Sequence, residues 1–240
     1  MKKFPIGISS FEKIREGEYY YVDKTKFIRK LLDNGEYYFL SRPRRFGKSL
    51  FVDTIKCAFE GKKELFTGLY LRNNWNWEEK YPVVRVSFDT TFSKREELEE
   101  FIVSIQEKYA KEFEVKLNSK HVGLRNINLI EGIYQKVGKK VVLLIDEYDK
   151  PILDNIENRD VAEDVREILK RLYQTIKGLD RYLKFVFITG ISKFAKVSLF
   201  SGLNQLRDIS LSKEYGDICG YTERELEEVF GEIIESEKEL

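Results

Sequence analysis

Short apolar runs alternate with stretches of helical spacing along the whole chain. Residues 37–40 (Tyr-Tyr-Phe-Leu), 81–88, 141–145 (Val-Val-Leu-Leu-Ile) and 183–188 have the composition of buried strands. Between them lie helical patterns: 24–32 on Phe27, Leu31 and Leu32; 50–60 on Leu50, Ile55, Ala58 and Phe59; and 93–113 on Leu98, Phe101, Ile102 and Ile105. Further helices are predicted over 127–137, over 159–177, and from Thr222 to the end. Punctuation agrees. Asp23 is a candidate N-cap, Ser93-Lys-Arg-Glu96 and Thr222-Glu-Arg-Glu225 read as capping boxes, and Gly35, Gly61 and Gly178 stand where helices stop. Residues 4–22, 62–80, 114–126 and 194–220 lack periodicity and read as irregular segments, with Trp75 and Trp77 as packing anchors. Alternation of strand and helix predicts an α/β fold with a parallel sheet.

Two strand ends carry polar residues in patterns that suggest chemistry. After strand 37–40 comes Ser41-Arg-Pro-Arg-Arg-Phe-Gly-Lys-Ser49, followed directly by a helix. A helix start offers unpaired N–H groups and the positive end of a dipole, so this strand–loop–helix suits a phosphate. Gly47 lets the backbone approach, Lys48 reaches the outer phosphates, and the Ser49 hydroxyl is a Mg²⁺ ligand. The pattern departs from G-x-x-x-x-G-K-[ST] at its first position, where Arg42 stands. Arg42, Arg44 and Arg45 either add positive charge to a polyphosphate or pair with neighbouring carboxylates to hold the loop.

The second pattern is Asp146-Glu147 at the end of strand 141–145. Asp146 would hold Mg²⁺ through its water shell, and Glu147 would orient and deprotonate an attacking water. The plainer alternative is an acidic helix cap after a strand. Thr189, at the tip of strand 183–188, sits where a residue sensing the γ-phosphate belongs, with Ser192 and Lys193 as alternatives.

Composition narrows the class further. Lys plus Arg number 42 against 41 Asp plus Glu, so no global charge points to nucleic acid or an anionic membrane. No run has the length of a membrane span, and the start lacks a signal-peptide core; a cytoplasmic location is expected. Cys57 and Cys219 read as reduced small hydrophobes, and the single His121 as a surface-loop residue.

Tyr21-Val-Asp-Lys-Thr25, Arg42–Leu50, Ile145-Asp-Glu-Tyr-Asp-Lys-Pro151 and Phe200-Ser-Gly-Leu-Asn204 resemble the motifs of the family of predicted AAA-like ATPases. The resemblance covers essentially the whole chain. It implies a three-layer P-loop NTPase of the ASCE branch, in which a catalytic glutamate follows the Walker B aspartate. The nucleotide it implies is ATP, with Mg²⁺. Carried over, the nucleotide-binding set is Arg42, Arg44, Arg45, Phe46, Gly47, Lys48, Ser49 and Leu50. Ser49 and Asp146 serve the metal; Lys48, Glu147 and Thr189 serve catalysis. Residues 1–205 form the expected ATPase core and 206–240 the start of a helical lid. Members often carry a PD-(D/E)XK nuclease-like region after the ATPase, and no residue here is assigned to it.

Four readings compete. ATP hydrolysis leads, because Glu147 is present. Next is a nucleotide-dependent switch with little turnover, then a phosphotransferase, whose members usually lack that glutamate, and last a decayed structural domain. In a homo-oligomer a neighbouring subunit's arginine could complete the site, and the isolated chain would then be slow.

Overall fold

The run Val141–Asp146 is buried at all six positions, a pattern that only a central strand covered on both faces can satisfy. In the computed structural model, which describes residues 2–193, 199–200 and 202–238, it is one of five parallel strands. In chain order the elements are α1 (Phe11–Glu16), α2 (Lys26–Asn34), β1 (Tyr37–Ser41), α3 (Lys48–Phe59), β2 (Val83–Ser87), α4 (Arg95–Glu112) and α5 (Val122–Val137). They continue with β3 (Val141–Asp146), α6 (Lys150–Leu153), α7 (Arg159–Gly178), β4 (Leu183–Gly190), β5 (Arg207–Asp208) and a terminal helix, α8 (Glu223–Lys238).

The strand order is β2-β3-β4-β1-β5. In space, therefore, β4 separates β1 from β3, while β2 lies at an edge. Side chains alternate across the sheet. Phe39, Leu143, Ile145, Val186 and Ile188 face a core closed by α4, α5 and α7, and Tyr38, Leu40, Val142, Leu144, Phe185 and Phe187 face one closed by α1, α2 and α3. Helix α7 shows how the pattern works: Val165, Ile168, Leu169, Leu172, Tyr173 and Ile176 are its buried stripe, and Asn158 caps it by accepting from the Val161 N–H. Each such side chain contributes about 1.5–3 kcal/mol by leaving water.

The structure departs from the periodic pattern in a few places. Residues 4–22, expected to be irregular, contain α1. Its first N–H, from Phe11, donates to Asp53 Oδ2 at 2.8 Å, a contact with α3 that no local pattern reveals. Helix α5 starts at Val122, ahead of the expected 127, because buried polar contacts replace an apolar stripe there. Gln106 Nε2 donates to the Val122 carbonyl at 2.8 Å, and Asn126 Nδ2 to Thr175 Oγ1 at 2.8 Å. The first capping box is displaced: Lys94 is the N-cap, and Glu97 rather than Glu96 reaches back, to the Ser93 N–H at 2.7 Å. Asp23 is not the N-cap: it stands two positions ahead of the N-cap Thr25, accepting from the Thr25 N–H at 2.8 Å. The segment 194–220, read as loop, supplies β5 beside β1, and Ile209, Tyr215 and Ile218 fill the core under α2 and α3. Residues 194–198, Ser201 of the Phe200–Asn204 stretch, and 239–240 of the expected lid lie outside the described residues.

At the second capping box, Glu225 Oε2 accepts from the Thr222 N–H at 2.9 Å and Thr222 Oγ1 from the Glu225 N–H at 3.2 Å. The same carboxylate holds Lys24 Nζ at 2.6 Å, tying α8 to the Tyr21–Thr25 stretch. Burial raises the Glu225 pKa, but the hydrogen bonds from Lys24 and Thr222 outweigh it and leave the group below its usual value. The pair's contribution is therefore present above the ordinary glutamate range and fades as pH falls through that lowered value. Glu225→Ala is expected to cost about 1 kcal/mol, since the pair is partly solvated. Hydrogen exchange reads it: α8 amides should lose protection while those of β3 do not.

Candidate active site

The first component is the β1–α3 loop. Gly47 takes φ 84°, the left-handed region that suits glycine, and α3 begins at Lys48 with no side chain capping its first N–H groups. The Lys48 side chain is buried and donates to the carbonyls of Arg42 at 3.0 Å and Pro43 at 2.8 Å, so it spans the loop it belongs to. Burial lowers its pKa, opposed by the negative groups Asp146, Glu147 and Asp149 nearby. Ser49 lies in the first turn of α3, half-buried, and Leu50 packs against the α3 side of the core.

The three arginines part company. Arg42 donates to the carbonyls of Ser41 at 3.1 Å, Ser210 at 2.5 Å and Tyr215 at 3.2 Å; it braces the loop against the segment after β5. Its partners are carbonyls, neither phosphate nor the carboxylates of the alternative reading. Arg44 and Arg45 are exposed, line the same cleft as Lys48, and form no carboxylate pair among the described residues. Arg45 has φ 65°. Phe46 is 44% exposed, and the Cβ of any other residue at Gly220 would come within 3.2 Å of its ring. Gly220 also donates its N–H to the Phe46 carbonyl at 2.9 Å, seating the segment before α8 on the loop.

The second component is the end of β3. Asp146 is fully buried, with Oδ1 accepting from Thr189 Oγ1 at 2.5 Å across the β3–β4 pairing. Among the described residues its Oδ2 has no hydrogen-bond partner; the nearest cation, Arg85 Nη2, stands off at 3.8 Å. Arg85 is held instead by Asp53 of α3, Nη1 to Oδ1 at 2.6 Å. Thr189, expected to sense phosphate, has its one donor engaged with Asp146.

Glu147 follows in the left-handed region at φ 54°, a strained conformation for a residue with a Cβ, and its carboxylate faces the cleft. Burial and the Asp146 charge raise its pKa, while Lys150, Lys48 and Arg44 oppose the shift. Asp149, fully buried, accepts from the N–H groups of Ile191 at 3.2 Å and Ser192 at 2.7 Å. A Cβ at Gly190 would sit 2.4 Å from the Tyr148 ring and 2.6 Å from Asp149 Oδ1, so the strand end fits only glycine.

These components border one cleft of ≈ 1090 Å³, whose lining includes Lys48, Ser49 and Glu147. Residues 5–200 match the family model described as Predicted AAA-ATPase. The chain belongs to that family. Membership in the AAA-ATPase-like family points to ATP binding, and the five-stranded parallel sheet flanked by helices is consistent with a three-layer P-loop NTPase fold. The chain is also similar to a protein of Azotobacter chroococcum mcd 1 described as "Uncharacterized protein in vnfD 5'region", 46% identical over 231 residues. That match takes in 95% of this chain and 45% of the relative, so the AAA-ATPase-like chain spans about half the relative's length. Among the described residues, no helix is long and apolar enough to cross a membrane.

Arg85 was not legible by motif; the available signal was a charge in the buried stretch Val83–Ser87. Lys24 lay within the Tyr21–Thr25 family stretch, with no role attached to it there.

Proposed function

We propose that this chain is a Mg²⁺-dependent ATPase whose phosphate site is the β1–α3 loop and whose water-activating group is Glu147. The observation that carries the reading is Asp146: a fully buried carboxylate with one oxygen fixed by Thr189 and the other, among the described residues, without a hydrogen-bond donor. An orphaned buried oxygen needs a partner, and a hydrated cation is one that a carboxylate suits. Asp146 and Ser49 would hold Mg²⁺, which would neutralise charge on the phosphate oxygens. The placement of β4 between the two motif strands supports assignment to the ASCE branch. Helix α8 would begin the lid.

In this mechanism the free N–H groups at the start of α3 and the Lys48 ammonium hold the outer phosphates. Lys48 is released from the Arg42 and Pro43 carbonyls as phosphate replaces them. Glu147, half-buried and with no hydrogen-bond donor to its carboxylate among the described residues, takes a proton from water and orients it toward the γ-phosphorus. Arg44 and Arg45 are the cations left over to meet charge on the triphosphate. An effector region beyond the ATPase, of the nuclease-like kind the resemblance implies, would receive the resulting change. The nucleotide-dependent switch is the second reading, favoured by the Lys24–Glu225 pair, which joins both ends of the chain beside the cleft.

Calorimetric titration with Mg²⁺ and a non-hydrolysable ATP analogue tests the reading. Lys48→Ala is expected to weaken binding about 100-fold while leaving the unfolding midpoint near that of the parent. Equal affinity in the two proteins would remove the β1–α3 loop from the role.

A further inference from the structure

The phosphate chemistry uses only part of the cleft's lining. The rest includes two segments some two hundred residues apart in sequence: the stretch around Ile6 and Tyr20, and Tyr221 with Phe230 of α8. Phe230 lies 5.2 Å from the Tyr20 ring and 6.2 Å from Tyr221, so the aromatic groups form one wall. Ile6 is 89% and Tyr221 61% exposed, which places large apolar surface in contact with solvent beside the phosphate loop. Such exposure costs free energy unless a ligand covers it. The described lining contains a single carboxylate, Glu147 of the phosphate site, and no Asn, Gln or Asp.

We infer that this wall holds the base and ribose of the nucleotide, and reads the base by stacking and aliphatic contact, with no carboxylate or amide side chain for its edge. The inference rests on the nucleotide reading above and adds the ligand's other half. Its chemistry sets a specificity. A purine covers more of an aromatic and aliphatic wall than a pyrimidine, and a bare polyphosphate covers none. Selecting guanine strongly over adenine takes a carboxylate or amide acceptor for the guanine N1–H and N2 amino groups, and Glu147, committed to the phosphates, is the one such side chain in the described lining. The affinity order is therefore purine above pyrimidine above tripolyphosphate, with ATP and GTP within about tenfold of each other.

The test titrates the full chain with Mg²⁺ and ATP, GTP, CTP or tripolyphosphate, each with the parent and with an Ile6→Ala/Tyr221→Ala double variant. Both positions are exposed, so the variant should fold, which circular dichroism checks. The parent is expected to bind ATP about tenfold or more tighter than tripolyphosphate, and the double variant to lose that advantage while binding tripolyphosphate unchanged. Tripolyphosphate matching ATP in the parent would overturn the inference. So would an unaltered ATP affinity in the double variant, or an ATP–GTP difference above about a hundredfold. In each of those results the phosphate site itself survives. Failure of both ATP and tripolyphosphate to bind the parent would instead sink the phosphate-loop reading, and this inference with it.

Discussion

Replacing Glu147 by Gln is expected to slow phosphate release by about 10²- to 10⁴-fold while ATP still binds. The amide is nearly isosteric with the carboxylate, so the left-handed turn at φ 54° and the packing beside Asp146 should persist. What disappears is the acceptor for the water's proton. Glu147 is suited to that work because its carboxylate lines the cleft and, among the described residues, is tied to no donor. Neighbouring acids do not share this freedom: Asp146 is buried against Thr189, and Asp149 is spent on the Ile191 and Ser192 N–H groups. Single-turnover phosphate release alongside calorimetry separates the two quantities. Undiminished release in the variant would assign water activation elsewhere and leave the switch reading in its place. Slow release already in the parent, rescued at high protein concentration, would indicate an arginine donated between subunits.

The second large effect is on stability and comes from Asp149. Its carboxylate is fully buried and terminates the two N–H groups that follow β4, where Gly190 leaves no room for any other side chain. Burial pushes its pKa up, and the Ser192 and Ile191 N–H groups push back. Removing the side chain strands both donors in the interior, and each buried unsatisfied group costs about 1–3 kcal/mol. Asp149→Ala should therefore lower stability by about 3 kcal/mol, read as a drop in the denaturant midpoint without a change in slope. Asp149→Asn keeps an acceptor oxygen and should cost less. A loss under about 1 kcal/mol for the alanine variant would show that water or the backbone replaces the carboxylate. Because Ser192 follows Thr189 by three residues, the alanine variant should also loosen the Thr189–Asp146 hydrogen bond.

These two residues show how legibility varied. Glu147 could be read directly: an acid after five apolar residues, downstream of Gly47-Lys48-Ser49, is a pattern of types at short spacing. Asp149 could be read only as part of a family stretch, since its partners are backbone groups 42 and 43 positions away. The contact that Thr189 makes was not legible in the chain. Its position at the end of β4 followed from the apolar run, but its proton goes to Asp146 because β3 and β4 are neighbours, which chain order does not state.

Local periodicity determined the four long strands, most of the helices and the α/β class, because side-chain alternation and helical spacing are recorded within a few residues. It also marked the proposed phosphate loop, where a glycine, a lysine and a serine stand at the start of a helix. Tertiary structure decided the rest. The short strand β5 exists because the Phe39 carbonyl accepts from the Ile209 N–H at 3.0 Å, across 170 residues of sequence. The helical start at Val122 depends on Gln106, Arg42 became a brace through the Ser210 and Tyr215 carbonyls, and the aromatic wall needs both chain ends brought to one cleft. The physical reason is common to all of them. Buried polar groups and shared clefts are satisfied by whatever the fold brings near, and that proximity is a property of the folded chain alone.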